Sequence, residues 1–126
     1  MRLLLDSTFL IDYLRDDEDA TNRFERFWID GDELMVNEVV VAEAWSGGRE
    51  GEAARLRAML DPVEFIQPGI EVARTAGQWR AIVRARGGAL SLADALIAAT
   101  ADAASAAVLT RNIRDFSLTP VRVETY

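Results

Sequence analysis

Apolar and polar positions along this chain switch repeatedly between a strand-like and a helix-like pattern. Leu3-Leu4-Leu5 is an unbroken apolar triplet, the signature of a strand buried on both faces between helices. Phe9, Leu10, Tyr13 and Leu14 then recur at helical spacing, and a second stripe of Phe24, Phe27 and Trp28 ends at Asp30-Gly31-Asp32. The acidic run Asp16 to Asp19 before that stripe suits the positive end of a helix dipole and reads as a solvated cap. Glu33 to Val36 is a second strand. Asn37 is a good cap for a helix carrying Val39 to Trp45 and stopping at Gly47-Gly48, although the β-branched run also allows a strand reaching Val41. Arg49 to Leu60 reads as a short charged helix broken by Asp61-Pro62, and Val63 to Ile66 as a third strand. Pro68 opens a long helix from Ile70 to Ala85, about 24 Å at 1.5 Å per residue, closed by Gly87-Gly88. An alanine-rich helix from Ser91 to Ala104, a strand Ala106 to Leu109, a single turn from Asn112 to Phe116 and a last strand Val121 to Glu124 complete the chain.

Strands alternating with helices predict an α/β fold: one domain over residues 1–126, with a mostly parallel central sheet of about five strands flanked by helices. In open sheets of this kind, ligands gather outside the carboxyl ends of the strands, where strand order reverses. Asp6 stands at that address, directly after the first strand. Taken alone it is as well explained by capping the helix that follows, and one carboxylate can do both, one oxygen holding the turn while the other faces an ion. Asp115 lies beyond the carboxyl end of the fourth strand, though an exposed loop charge there is unremarkable. Asp94 is the only charge in the first turn of its helix, and Ser91-x-x-Asp94 also matches a capping box. Glu43 is the only charge in the apolar second half of its helix, where a partly exposed surface acid is the plain alternative. If the fold turns these four acids toward one sheet edge, their mutual repulsion raises their pKa values until a cation neutralises them.

Composition narrows the chemistry. The chain has no Cys, no His and no Lys, so all fourteen cations are Arg. A Ser-His-Asp triad, a histidine base, a P-loop lysine, a Schiff base and thiolate or imidazole metal sites are excluded. The missing lysine also counts against a receiver-like phosphotransfer domain. What remains is carboxylate, hydroxyl, amide and guanidinium, and clustered carboxylates suit a hard cation, Mg²⁺ or Mn²⁺. Such an ion supports phosphate-ester hydrolysis without histidine. A net charge of −7 argues against a broad basic nucleic-acid surface but not against a local one. No apolar run approaches the ~18–20 residues of a membrane span, and Met1-Arg2 leads into a strand with no signal-peptide pattern, so a cytoplasmic protein with no membrane contact is the expectation.

Four ordered motifs carry a family resemblance: Leu5-Asp6-Ser7-Thr8, Val41-Ala42-Glu43, Asp94-Ala95-Leu96-Ile97-Ala98-Ala99, and Leu109-Thr110-Arg111-Asn112-x-x-Asp115-Phe116. Together, and over essentially the whole chain, they resemble the PIN domain, and within it the VapC toxins of type II toxin–antitoxin pairs. The resemblance implies a three-layer PIN-like fold and a Mg²⁺- or Mn²⁺-dependent endoribonuclease. Asp6, Glu43, Asp94 and Asp115 would match the family's acidic quartet, which holds the metal and positions water. Ser7 or Thr8 and Thr110 fall where small polar residues support that site. Asn112 falls where the family often has a polar or acidic group, without the charge an Asp would bring to a second metal. The implied partners are an RNA substrate, a VapB-type antitoxin whose C-terminal segment wraps the toxin, and a second copy in a homodimer. A catalytically silent PIN-like protein-binding module is the alternative.

For substrate contact, Arg111 and Arg114 flank the turn leading to Asp115 and are candidates to meet a phosphate, with solvated surface as the equal alternative. Arg74, Arg80, Arg84 and Arg86 lie on or just past the long helix, where plain helix surface is at least as good a reading. The three Trp are expected in core or interface rather than as base-stacking platforms.

Overall fold

The computed structural model describes residues 1–126, all of the chain. Five strands form one sheet: β1 (Arg2–Leu5), β2 (Glu33–Val36), β3 (Glu64–Phe65), β4 (Ala107–Leu109) and β5 (Val123–Glu124). Their order is β3-β2-β1-β4-β5, and every neighbouring pair is parallel. Seven helices flank the sheet: α1 (Ser7–Leu14), α2 (Glu18–Asp30), α3 (Glu38–Gly47), α4 (Ala53–Leu60), α5 (Ile70–Ala85), α6 (Leu92–Ala103) and α7 (Ile113–Phe116). No helix is long and apolar enough to cross a membrane.

The central position of β1 explains its leucine triplet. Successive strand residues point to opposite faces, yet Leu3, Leu4 and Leu5 are all 0% exposed, so both faces are covered. The main core gathers these leucines with Met35 and Val36 of β2, Val108 and Leu109 of β4, and Phe9, Phe27 and Phe116 from the helices. A second, smaller core joins Ala76 and Val83 of α5 to Ala95 and Ala99 of α6 across Leu90. Small alanines on α6 let the two helices approach closely. Trp28 and Trp45 are exposed at 52% and 40%, so neither is a core residue of this chain; Trp79 packs against both cores while partly exposed.

Several element limits differ from the pattern-based expectation, each for a local reason. The β-branched run after Asn37 is helix rather than strand, because the Asn37 side chain caps it, accepting the Val40 N–H at 3.0 Å. The helix expected from Arg49 begins only at Ala53, since Gly51 takes φ +86°, outside the helical region. β3 and β5 are two residues long rather than four. They are edge strands, held by one neighbour each, and both residues of β3 are exposed. Apolar spacing cannot set the limits of such strands. The acidic run is divided in its roles: Asp16 takes a left-handed φ of +59°, and Asp17 caps α2 by accepting the Ala20 N–H at 2.9 Å.

Candidate active site

Strand order reverses at β1. From there the chain passes outward to β2 and β3, then returns through α5 and α6 to β4 on the other side. The carboxyl ends of β1 and β4 therefore border the crevice in which open α/β sheets bind ligands. Pairing between them continues past the strands, with the Asp6 N–H donating to the Leu109 carbonyl at 3.0 Å, and this sets Asp6 beside Thr110.

Asp6 is 2% exposed and receives three hydrogen bonds. Its Oδ1 accepts the Ser7 N–H at 2.8 Å, so it caps α1. Its Oδ2 accepts the Thr110 hydroxyl at 2.7 Å and the Thr8 hydroxyl at 3.0 Å. One oxygen thus holds the turn, as the sequence reading expects, while the other is held by the two threonine hydroxyls. Three donors on one buried carboxylate fix its rotamer, the precondition for a precise ligand. The Thr110 hydroxyl is itself oriented, because it accepts the Asn112 N–H at 2.8 Å while donating to Asp6.

The other acids are brought to the same place by other elements. Glu43 sits on the second half of α3, where the Ser7 hydroxyl donates to its Oε1 at 3.1 Å, linking the α1 start to α3. Asp94 lies in the first turn of α6, whose start is capped by the Ser91 hydroxyl accepting the Asp94 N–H at 3.1 Å. The Asn112 side-chain amide donates to Asp94 Oδ2 at 3.4 Å. Asp115 is half-buried in α7. Burial, then the charge of Asp6, pushes the Asp94 carboxyl up from its ordinary value to about 6; the Ser91 hydroxyl opposes this, and the charges of Asp115 and Glu43 add to it. Asp94 thus registers all three of the other acids as neighbours. The four do not close into a preformed cage, as no three acidic side chains stand at ligating distances together. Their donor chemistry is nonetheless all carboxylate oxygen around a carboxyl that resists ionising, the condition that a hard divalent cation relieves. A separate depression of about 160 Å³ beside Trp45 and Leu56 contains none of the four acids.

Ser7, Thr8, Thr110 and Asn112, chosen from sequence as supporting residues, all make the contacts described above. In place of the two readings left open for Arg111, phosphate contact or solvated surface, the structure shows a third occupation, ion pairing within the fold. Its guanidinium is engaged by Asp12 at 3.1 Å, Asp17 at 2.8 Å and Asp19 at 3.2 Å, and it lies 4.5 Å from the centre of the Tyr126 ring. The Tyr126 hydroxyl donates to Asp12 at 2.7 Å, closing the cluster. Arg111 holds the Asp17 carboxyl below its usual range and has its own pKa raised by the same contact. The clasp ties the loop carrying Thr110 and Asn112 to α1, α2 and the last residue of the chain. Its acidic half went unrecognised in sequence, where the only signal is the surplus of acids from Asp12 to Asp19. Arg114, by contrast, is exposed and has no ion-pair partner. Replacing Arg111 with Gln is expected to lower the melting midpoint by about 2–5 °C and the turnover rate of any reaction at this site by about tenfold, with Lys restoring only part of it. Thermal melts and steady-state kinetics of the two variants check this; unchanged turnover would show that the clasp holds the loop without positioning the site.

Comparison with known proteins agrees with this architecture. The PIN domain profile matches residues 3–120. Ribonuclease VapC19 of Mycobacterium tuberculosis is 32% identical over 117 residues, covering 93% of this chain and 94% of that protein. Among solved structures, VapBC2 of Rickettsia felis, bound to a DNA fragment from its promoter, superposes with a TM-score of 0.85 at 22% identity, over 100% of this chain and 99% of the matched one. VapBC-1 of nontypeable Haemophilus influenzae gives 0.80 at 18% identity, over 99% and 98%. At such identities the structures speak for the fold, while the profile and the sequence relative speak for descent. The chain belongs to the PIN domain family, in its VapC branch.

Proposed function

We propose that this protein is a Mg²⁺- or Mn²⁺-dependent endoribonuclease, the toxin of a toxin–antitoxin pair, hydrolysing RNA phosphodiester bonds. The observation that carries the reading is the grouping of Asp6, Glu43 and Asp115 around Asp94, whose carboxyl, raised to about 6 first by burial, is raised further by the charge of each of the other three. Kinship with a protein named a ribonuclease supports the substrate class. Asp6, Glu43, Asp94 and Asp115 would hold the ion, matching hard oxygen donors to a hard cation. When bound, such an ion stabilises charge on the phosphate and lowers the pKa of water.

The chain's own side chains have separate tasks. Ser7 orients Glu43, and the Thr8 and Thr110 hydroxyls orient Asp6, so two of the acids are fixed before substrate arrives. Asn112 steadies Asp94 through a neutral amide. Carboxylate lone pairs on Glu43 and Asp115 that the ion does not use would accept a hydrogen bond from the attacking water and orient it. Arg114, exposed and unpaired on α7 next to Asp115, would meet a substrate phosphate in this reading. A VapB-type antitoxin and a second copy of the chain are the proposed partners, in keeping with structural neighbours described as VapBC and toxin–antitoxin complexes.

The test is cleavage of total RNA by purified protein with Mg²⁺ or Mn²⁺, beside Asp6→Asn and an EDTA control. Cleavage that requires the ion and falls about 10³-fold or more in the variant is expected. Equal cleavage by both proteins, or cleavage surviving EDTA, would sink the proposal. No cleavage and no heat of divalent-ion binding would favour a silent protein-binding module instead.

A further inference from the structure

Between Glu71 and Asp94 the chain carries four arginines and no acidic residue, in a protein whose net charge is −7. Ion pairing sorts the four. Arg74 is engaged by Glu71 at 2.6 Å. Arg80, Arg84 and Arg86 have no acid within ion-pair distance. They share the last turns of α5 and its end, and Arg80 and Arg84 are one turn apart on one face.

The fold ties the first of these charges to the loop that enters the Asp94 helix. Arg80 Nε donates to the Leu90 carbonyl at 3.0 Å, which pins α5 to the loop running into α6. Leu90 is buried, Ser91 caps α6, and Asp94 lies in the first turn of that helix. The loop is a fixed support. Gly87 takes φ +79°, and a Cβ on Gly88 would stand 3.0 Å from Val83 Cγ1. Arg80, Arg84, Gly88, Ala89 and Leu90 line a depression of about 210 Å³, and Arg86 lines a second one with Trp79, Ile82 and Ser117.

An acidic protein repels a polyanion except where positive charge is left unneutralised, and an RNA that reaches Asp94 needs such a path. The depression sets the guanidinium groups of Arg80 and Arg84 beside glycine backbone, a combination that suits a phosphate. We propose that Arg80, Arg84 and Arg86 form a phosphate track that guides the backbone of single-stranded RNA to Asp94. This deepens the nuclease reading and rests on it for the identity of the polyanion.

Binding can be measured apart from cleavage. Fluorescence anisotropy of a labelled, mixed-sequence, single-stranded oligoribonucleotide in EDTA, over a salt series, compares the unmodified protein with Arg84→Gln/Arg86→Gln. Neither of these side chains makes a hydrogen bond or ion pair in the fold, so folding is undisturbed, which thermal melts check. Arg26→Gln, a pair partner of Asp30 on α2, is the control. The double variant is expected to bind about tenfold or more weakly near 0.1 M salt, with the slope of log affinity against log salt shallower by about 1.4. With Mg²⁺ present, its KM is expected to rise at nearly constant kcat. Unchanged affinity and slope in a variant that still cleaves RNA would overturn the track and leave the nuclease standing. Weakened binding by the variant of a protein that cleaves nothing would support the track and overturn the nuclease. Intact RNA affinity with lost binding of polyglutamate would overturn the RNA assignment and give the face to an acidic protein partner.

Discussion

Replacing Asp94 with Asn is expected to abolish RNA cleavage, by about 10³-fold or more, while making the metal-free protein more stable. The two effects share one cause. In the folded chain burial and the charge of Asp6 raise the Asp94 carboxyl to about 6, against an ordinary value of 3.8. A raised folded pKa means that Asp94 favours folding while protonated, fully below the unfolded value, and that this contribution is lost as pH rises through about 6. At pH 7.5 the ionised group therefore opposes folding. A shift of that size corresponds to roughly 3 kcal/mol before screening, and because Asp94 is half-exposed about 1–2 kcal/mol is the reasonable figure. The variant should thus melt about 4–8 °C higher than the unmodified chain at pH 7.5 in EDTA. The gain should shrink as pH falls through 6 and vanish near 4. Mg²⁺ or Mn²⁺ should reverse the order, stabilising the unmodified protein through its affinity for the native state and the variant much less. Melting curves at three pH values, with and without the ion, check every part. A variant that is no more stable at neutral pH would show that the four carboxylates do not burden one another as their placement implies.

How far the sequence discloses this site depends on how local each signal is. β1 and Asp6 are legible because three adjacent leucines and the carboxylate after them carry the whole message. Glu43, Asp94 and Asp115 are legible as isolated acids, but their convergence is a product of strand order, which only the ordered motifs of a known family bring into a sequence reading. The limits of β3 and β5 are not legible, since an edge strand is as long as its neighbour permits. The pairing of Arg111 is the least legible feature. Its position suggests a phosphate ligand, yet its partners Asp12, Asp17 and Asp19 lie 99, 94 and 92 residues away. Nothing in the local pattern distinguishes an arginine that awaits substrate from one that clasps the fold. The unpaired Arg80, Arg84 and Arg86 look no different in sequence, and only the census of ion pairs separates them.

The residue expected to matter most for stability lies outside the acid cluster. Asn37 is 0% exposed, and its side chain bonds in two directions. Its oxygen accepts the Val40 N–H at 3.0 Å, capping α3, and its amide donates to the Thr100 hydroxyl on α6 at 2.9 Å. Thr100 in turn donates to the Leu96 carbonyl at 2.7 Å, so this buried chain is fully bonded. It couples the helix that carries Glu43 to the helix that carries Asp94. Asn37→Ala removes a cap, worth about 1 kcal/mol, and strands the Val40 N–H in the interior, for a total of about 2–4 kcal/mol. Asn37→Ser retains a capping oxygen but cannot span to Thr100, and about half that cost is expected. Thr100→Val leaves the Asn37 amide unpaired, costing about 1–2 kcal/mol. Because the two residues share one bond, the double variant Asn37→Ala/Thr100→Val should fall short of the sum of the single losses by about 1 kcal/mol. Urea melts of the four proteins measure that coupling. If the pair also sets the spacing of α3 and α6, Asn37→Ser should weaken Mn²⁺ binding more than its modest loss of stability accounts for. Strict additivity with unchanged metal affinity would reduce Asn37 to a helix cap.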